Sequence, residues 1–439
     1  MTERIPCKSE GCSATILPAT FQKTGGYCMP CVQEKERQER QAYIMKHRQT
    51  VDLYAGITDP VEVLKIMHAS RPYDPLIVYT TYRSGKEELY RSLSKEDACR
   101  LEAYAIELLQ TGDEEVCTEI LMSLVCYNNR LLSRTGIIAE LIHREIYDPA
   151  FLYKHAPADI RDLLLEQVET DGENRNSLLL ILSWIGDDVV VQRFREWREH
   201  APEWVDELYI APERYAHEAG WELTADGKRR DLFYPDNYAI VKTAGNTVPS
   251  GETAHFEDTG AAFLKESSQT CAWCGSRLTV LMDIAAGHPA VQHFPLTGQR
   301  LQVQTCVICS CYGPVYMELD SYQGARWNDF NRKPDYLRET DPDEDSRAYL
   351  SAGKQFRIAE EPRNTYHAVQ WTMEPWASQI GGYPTWIQDA EYPECPCCSQ
   401  RMHFIGQLDW EAVEEYGEGI YYMFLCPEGR MSATLFQQS

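Results

Sequence analysis

The residues best suited to chemistry in this sequence are its cysteines. The chain has 16 of them, and several stand two residues apart, as in Cys28-x2-Cys31. A two-residue gap lets both thiolates of a knuckle face one ion, and zinc takes four such ligands in a tetrahedron at roughly 2.3 Å. In a reducing compartment, cysteines at this spacing favour metal over disulfide bonds. The cysteine sets are therefore the candidate metal sites.

The first set lies at the N-terminus, in the pattern Cys7-x4-Cys12-x15-Cys28-x2-Cys31. The segment ATILPATF between the pairs suggests a hairpin, and VQEKERQERQAYIMKH after them, without Gly or Pro, predicts an exposed helix. We expect a closed zinc site in a small module, residues 1–50, that resembles a treble clef. Treble clefs often bind nucleic acid, and the module has 8 basic against 5 acidic residues. The favoured interpretation is a module that zinc only stabilises.

The second set consists of Cys271-x2-Cys274 and Cys306-x2-Cys309. Gly275 follows the first pair and suits the tight turn of a zinc knuckle. Strand candidates lie between the pairs, so the two knuckles could meet across a sheet. Four thiolates would leave zinc no open position for water, which excludes zinc catalysis here. The remaining Cys311 is predicted to be a neighbouring core thiol.

The third set is less regular. The segments CPCC and FLCPEGR supply Cys395, Cys398 and Cys426. Gly429 stands where a second cysteine of the last knuckle would be. The site therefore has one of two forms. Either three thiolates and a fourth ligand, for which Cys397 and His403 are the candidates, hold a metal ion, or the site has lost its metal. The sequence predicts zinc at two sites and leaves the third open.

Motifs of known catalytic sites are missing from the sequence. It contains no GxSxG, HExxH, GxxxxGK[ST] or GxGxxG pattern, and its 11 histidines are scattered. Catalytic zinc requires an open fourth position, which a three-thiolate third set would offer, but no base stands beside it in sequence. We predict that the protein is not an enzyme.

Length, net charge and the absence of long apolar runs limit the kinds of partner and location that the sequence predicts. The 439 residues suffice for about three domains, and 42 basic against 67 acidic residues give a net charge of −25. This charge repels phosphate backbones, which argues against nucleic acid as a partner, and it attracts cationic partners. No apolar run of about 18 residues exists, and the start MTERIPCKSE lacks a signal-peptide core. The expected location is the cytoplasm, without a membrane span.

The middle of the chain, residues 51–220, has a helical pattern. Seven segments between Pro60 and Trp197 carry apolar residues at three-and-four spacing and are separated by short breaks such as TGDEE. This succession predicts either a stacked array of HEAT type or an irregular bundle. Cys99, Cys117 and Cys126 fall among apolar neighbours there and are predicted to be core thiols.

Residues 221–439 have the composition of strands. Turn residues separate six segments with β-branched or aromatic content, RLTVLMDI, LQVQTC, VYMELD, MHFIGQLDW, GIYYMFLC and SATLFQQS. We expect a β-rich domain here, with a possible division near residues 335–365. The predicted fold class is therefore multidomain α+β: a zinc module, a HEAT-like helical array and a β-rich, zinc-containing C-terminal domain.

The C-terminal half also resembles a known family. The stretch IGGYPTWIQDAEYPECPCCSQRMHFIGQLDW, with GIYYMFLCPEG after it, is similar to the YwqG-like domain, closely over residues 375–439 and with the knuckles back to about residue 265. A related Gly-Gly-x-Pro-x-Trp and CxxC pattern occurs in the C-terminal domain of programmed cell death protein 2. Members of this group occur among immunity proteins of bacterial polymorphic toxins. Gly429 departs from the family's knuckle and puts the third metal in doubt.

The resemblance implies an immunity protein that binds a cognate, cationic toxin and blocks its active site, with ADP-ribosyltransferases or RNA-targeting toxins as plausible targets. The acidic stretches Asp341–Asp345 and Glu411–Glu418 are candidate patches for steering such a partner. The alternative is a housekeeping, zinc-stabilised adaptor or chaperone that binds a cellular or ribosomal protein.

Overall fold

The computed structural model shows a mixed α+β protein and describes residues 4–132, 136–242, 260–320, 324–337 and 347–438. The chain divides into two compact units, residues 1–120 and 121–439. Within the described ranges, no helix combines the length and the apolar character that a membrane crossing requires. The multidomain α+β class expected from the sequence is confirmed at this level.

The described helices and strands are as follows. The α-helices are α1 (Pro18–Lys23), α2 (Met29–His47), α3 (Pro60–His68), α4 (Lys86–Ser92), α5 (Lys95–Thr111), α6 (Glu114–Asn128), α7 (Ile137–His143), α8 (Ala158–Thr170), α9 (Arg175–Ile185) and α10 (Asp188–Glu199). Short 3-10 helices span Ala150–Tyr153, Glu203–Glu207, Pro212–Ala219, Pro289–Val291, Ser310–Tyr312, Ala348–Gln355, Trp371–Met373 and Trp410–Ala412. The strands are β1 (Ile5–Pro6), β2 (Thr15–Ile16), β3 (Gln49–Val51), β4 (Ile77–Tyr79), β5 (Trp221–Leu223), β6 (Arg229–Asp231), β7 (Asn237–Lys242), β8 (Ala261–Thr270), β9 (Arg277–Ala285), β10 (Arg300–Thr305), β11 (Val315–Asp320), β12 (Gly324–Trp327), β13 (Phe356–Ile358), β14 (Gln379–Gly381), β15 (His403–Asp409), β16 (Ile420–Leu425) and β17 (Met431–Gln437).

The first unit begins with the cysteine module. Strands β1 and β2 pair antiparallel, and α2 buries none of its residues, as expected for an exposed helix. The segment ATILPATF was expected to form a hairpin, and this was wrong. It contains only β2 and the start of α1, because Pro18 occupies the first position of that helix and sets its backbone angle.

The helical segments predicted from spacing are present, and their ends follow from capping residues. The Ser94 side chain accepts from the Asp97 N–H at 3.1 Å at the start of α5, and Asp187 accepts from the Val190 N–H at 3.0 Å at the start of α10. Cys117 and Cys126 are fully buried, as predicted. The prediction for Cys99 was wrong: it is exposed, because it lies about 100° around α5 from the buried Ala98.

Two sheets dominate the second unit. The larger has eight strands in the order β12-β11-β17-β16-β15-β14-β7-β13, and the smaller has the order β10-β9-β8. Leu281 and Val303 of the smaller sheet share one buried cluster with Ile405 and Met423 of the larger. Strands on both sides of residues 335–365 therefore belong to one sheet.

The central strand β16 is buried along its whole length. Trp386 stacks on Tyr422 at 4.6 Å between ring centroids, while the next residue, Tyr421, packs against Trp410 at 4.8 Å. Because adjacent strand residues point to opposite faces, both faces of the sheet are covered here. This explains why IYYMFL is a continuous apolar run rather than an alternating one.

Candidate metal centres and an acidic loop

The N-terminal group brings four cysteine sulfurs together. Cys7 and Cys12 lie in the turn between β1 and β2, Cys28 is the residue before α2, and Cys31 lies in the first turn of that helix. The four Sγ atoms lie within 4.8 Å of one another, and those of Cys12 and Cys28 are 3.8 Å apart. A zinc tetrahedron with bonds of roughly 2.3 Å has edges of about 3.8 Å, so the group fits such an ion.

Backbone donors prepare this group for metal. The N–H of Cys28 lies 3.2 Å from Cys7 Sγ, and the N–H of Ser9 lies 3.5 Å from it. These two donors lower the pKa of the Cys7 thiol to about 7. Since the thiolate is the form that binds metal, these two donors favour the ligand form of Cys7.

The second group lies where β8, β9 and β10 end or begin. Cys271 and Cys274 occupy the turn between β8 and β9, and Cys306 and Cys309 directly follow β10, which pairs with β9. The four Sγ atoms lie within 4.8 Å of one another; those of Cys271 and Cys309 are 3.8 Å apart and those of Cys274 and Cys306 are 3.5 Å apart. The knuckles therefore meet at one edge of the small sheet, and the group forms part of a buried cluster.

Cys311 does not belong to this group, and its prediction as a core thiol was wrong. It is exposed, and its Sγ lies 3.2 Å from the Ile308 carbonyl oxygen. The short 3-10 helix Ser310–Tyr312 turns the buried Ser310 inward and leaves Cys311 on the outer side.

The third group has four thiols, with Cys397 as the fourth. Cys395, Cys397, Cys398 and Cys426 place their Sγ atoms within 4.8 Å of one another. Cys397 Sγ is 3.1 Å from Cys395 Sγ and 3.5 Å from Cys426 Sγ, and Cys398 Sγ is 3.7 Å from Cys426 Sγ. His403 stands apart from this group; its Nδ1 lies 3.2 Å from the Tyr234 hydroxyl. Of the two candidates for the fourth ligand, the structure brings Cys397 to the group.

The backbone explains why glycine, and not cysteine, stands at position 429. Gly429 has φ +68°, and a Cβ added there would lie 1.8 Å from the Pro295 carbonyl oxygen. Its N–H donates to the Cys426 carbonyl oxygen at 2.8 Å, which closes the turn. No side chain fits at this position, so the CPCC segment supplies three sulfurs and CPEG supplies one.

All three groups are closed sites. Each consists of cysteines only, and no described histidine or carboxylate joins them. Four sulfurs complete a tetrahedral ion and leave it no position for substrate or water. An ion held in this way stabilises the fold around it, since its binding energy is also folding energy.

A different kind of surface lies on the loop between β15 and β16. This acidic loop, residues 410–419, is fixed by Trp410, which is 6% exposed and whose N–H donates to the Gly419 carbonyl oxygen at 2.9 Å. Trp410 Nε1 also donates to Glu414 Oε2 at 3.1 Å. At the tip, Tyr416 is 94% exposed. Its exposed neighbours are Glu411, Glu415 and Glu418.

Of the two acidic stretches predicted to steer a partner, one lies within the described residues. Glu411–Glu418 forms this loop, whereas Asp341–Asp345 lies outside the described residues. Sequence reasoning chose the loop for its charge and missed Tyr416. A signal for Tyr416 was available, because it directly precedes Gly417-Glu418-Gly419, a glycine-rich segment that marks a turn.

Comparison with known proteins finds a full-length relative. A protein of Salmonella typhimurium described as "Uncharacterized protein YpfL" is 38% identical over 443 residues, which is 100% of both chains. No family model matches the chain. No solved structure matches it significantly.

Proposed function

The chain belongs to the family of YpfL from Salmonella typhimurium, and for this member we propose the function of a zinc-stabilised binding protein for a cationic protein partner. Within that class the specific proposal is an immunity protein that occludes the active site of a cognate bacterial toxin in the cytoplasm. Zinc is the proposed ion at all three cysteine groups.

The acidic loop is the observation that carries this proposal. A nearly fully exposed Tyr416 shares its loop with the exposed Glu411, Glu415 and Glu418, and the buried Trp410 fixes this loop to the core. Tyrosine is among the residues that contribute most to protein interfaces, and a charged rim accelerates encounter with a partner of opposite charge. The net charge of −25 extends the same preference over the whole chain.

The chemistry of the cysteine groups supports zinc and a non-enzymatic role. Sulfur-only tetrahedra are typical of structural zinc, and soft thiolates exclude magnesium and calcium as the resident ion. A protein that acts by covering its partner needs a fixed surface and no catalytic group. A HEAT-like arrangement of the helices, which would offer a further surface for the partner, is part of the same proposal.

The resemblance to YwqG-like immunity proteins supplies the choice of partner. ADP-ribosyltransferase toxins and RNA-targeting toxins act on anionic substrates, so their active sites are expected to be basic and to attract an acidic inhibitor.

Affinity purification of the tagged, full-length protein from its host tests the class of partner. The expected result is one near-stoichiometric, basic protein encoded by the adjacent gene, and the purified protein should inhibit its activity. Recovery of ribosomal proteins or a cytoplasmic assembly would instead establish the adaptor alternative.

Association kinetics with the recovered partner test the loop. Replacing Glu411, Glu415 and Glu418 together by Gln should slow association roughly tenfold at low salt and much less at high salt. Tyr416→Ala should speed dissociation by about tenfold or more. Tyr209→Ala, which removes another fully exposed tyrosine of the same unit, is the control and should change neither rate. Unchanged rates in the loop variants would show that the partner binds elsewhere.

A further inference from the structure

The second unit contains a cavity of about 630 Å³ that none of the preceding features explains. Its wall is formed by the end of α10, the 3-10 helix Pro212–Ala219, the β5–β6 hairpin and the turn that follows Cys398. Its volume lies in the range of small-molecule sites, roughly 300–1,000 Å³. Four arginines line it, Arg198, Arg214, Arg230 and Arg401. We propose that this arginine cavity binds a small molecule that carries a phosphate or carboxylate group.

The arginines of the cavity are poorly matched by acids. The carboxylate of Glu222 is shared: it forms an ion pair with Arg230 and lies 3.6 Å from Arg401 Nε. Arg198 Nη1 donates only to the backbone carbonyl oxygens of Leu223 and Thr224, at 3.3 and 2.8 Å. Arg230 and Arg401 therefore have carboxylate partners, whereas Arg198 and Arg214 form no ion pair with a described residue and keep their guanidinium charge at the cavity.

Arg214 is the clearest case. It is exposed to the cavity, and its side chain forms no hydrogen bond or ion pair with the described residues. Guanidinium groups match phosphate and carboxylate oxygens in two parallel hydrogen bonds, which makes Arg214 the natural first contact for an anion.

The acids that line the cavity do not cancel this charge. The lining contains Glu213, Glu222, Asp226 and Glu394, so the formal count is balanced. Asp226, however, pairs with Lys228 at 2.7 Å. Glu394 forms an ion pair with Arg401 Nη2 at 3.4 Å, but its side chain is 67% exposed, so solvent screens this pair. Of the lining acids, Glu213 is left; its Oε2 is buried and accepts no hydrogen bond from the part of the chain that the structure describes. A hydroxyl or amino group on the same ligand would satisfy that oxygen.

The positive charge of the arginines lowers the pKa of two residues that line the cavity. Burial, together with the charges of Arg401 and Arg214, lowers the pKa of His217 to about 3, so this cavity residue is neutral at pH 7. Burial and the nearby Arg214 and Arg230 also lower the pKa of Arg401. In a chain with a net charge of −25, such mutual repulsion among arginines is a cost that a bound anion would relieve.

Calorimetric titration of the full-length, zinc-loaded protein tests the proposal. Inorganic phosphate and succinate, each at matched ionic strength against sodium chloride, separate the two possible anionic groups. We expect saturable binding of one or both, weakened at least about tenfold in Arg214→Gln, because a hydrogen bond to a charged group is lost. Arg326→Gln, an exposed arginine on β12 outside the cavity, is the matched control and should bind as the wild type does.

The titration decides whether the cavity binds an anion, and because it uses no partner protein, its result does not depend on the proposed function. Binding of phosphate alone identifies a phosphate ligand, and binding of succinate alone identifies a carboxylate. Absence of binding by both anions, or equal binding by wild type and Arg214→Gln, would overturn the proposal. The circular dichroism spectrum of Arg214→Gln checks that this exposed substitution leaves the fold intact.

Discussion

Substitution of Gly429 tests the reasoning about the third cysteine group most directly. In Gly429→Ala the added Cβ would lie 1.8 Å from the Pro295 carbonyl oxygen, 1.6 Å short of the 3.4 Å at which ordinary contact begins. The φ of +68° adds a second cost, because a left-handed backbone disfavours any residue with a Cβ by about 1–2 kcal/mol. Overpacking against a backbone atom adds about 1–3 kcal/mol. The free energy of unfolding should therefore fall by roughly 2–5 kcal/mol.

Gly275 provides the matched control. It occupies the knuckle of the second group with φ +81°, but a Cβ there would meet nothing within 4 Å. Gly275→Ala should therefore show the backbone cost of about 1–2 kcal/mol without the clash. The difference between the two variants isolates the contact with Pro295.

Two measurements on both variants decide the question. Urea unfolding followed by tryptophan fluorescence gives the loss of stability, and mass spectrometry of the metal gives zinc per chain. Gly429→Ala should also lose zinc from the third group, because its turn holds Cys426, whereas Gly275→Ala should retain all three ions. The reasoning is refuted if Gly429→Ala is no less stable than Gly275→Ala and keeps its zinc.

Three further predictions follow from the site and from a buried carboxyl. Cys397→Ser should lower zinc from three ions per chain to two, whereas Cys311→Ser, which alters an exposed thiol outside the groups, should leave three; equal metal content in both would exclude Cys397 as a ligand. A strong zinc chelator should lower the thermal midpoint of the wild type, and added zinc should restore it; an unchanged midpoint would contradict a structural role for the ions. Burial raises the pKa of Glu218 from its ordinary 4.5 to about 7, so the folded protein holds a proton that the unfolded chain releases, and stability falls as pH rises from about 4.5 to about 7. Glu218→Gln keeps the acceptor for the Ala390 N–H and should be more stable than wild type by up to about 3 kcal/mol at pH 8, with no gain at pH 4, in urea unfolding across that range; a gain that does not vary with pH would refute the assignment.

Local patterns were sufficient for eight of the ten described α-helices and for six of the 17 described strands. The six strand segments and seven helical segments chosen from the sequence are all present, because side-chain periodicity records which face is buried. The first two cysteine groups were also predictable, since each consists of two short-range pairs. Short elements such as α1, α4 and β14 were missed, because they depend on packing more than on pattern.

Features that depend on distant residues were beyond local reasoning. The third group was ambiguous because its ligands divide three to one, and only the close approach of Pro295 shows why Gly429 is required. The arginine cavity has no local signature at all. Arg198, Arg214, Arg230 and Arg401 come from four separate elements, and only the tertiary fold brings them to one wall.

The position of β17 in the large sheet has a consequence for synthesis. Although β17 is the last strand in the described chain, it lies between β11 and β16 and separates strands made more than a hundred residues apart. During translation, β11 and β12 leave the ribosome about a hundred residues before β17. One hydrogen-bonding edge of β11 therefore has no partner strand until residue 437 has emerged. An unpaired edge of this kind recruits other strands, so the nascent chain passes through an aggregation-prone stage. A chain cut short before β17 would lack the strand that pairs with both β11 and β16, so its large sheet would remain in two parts.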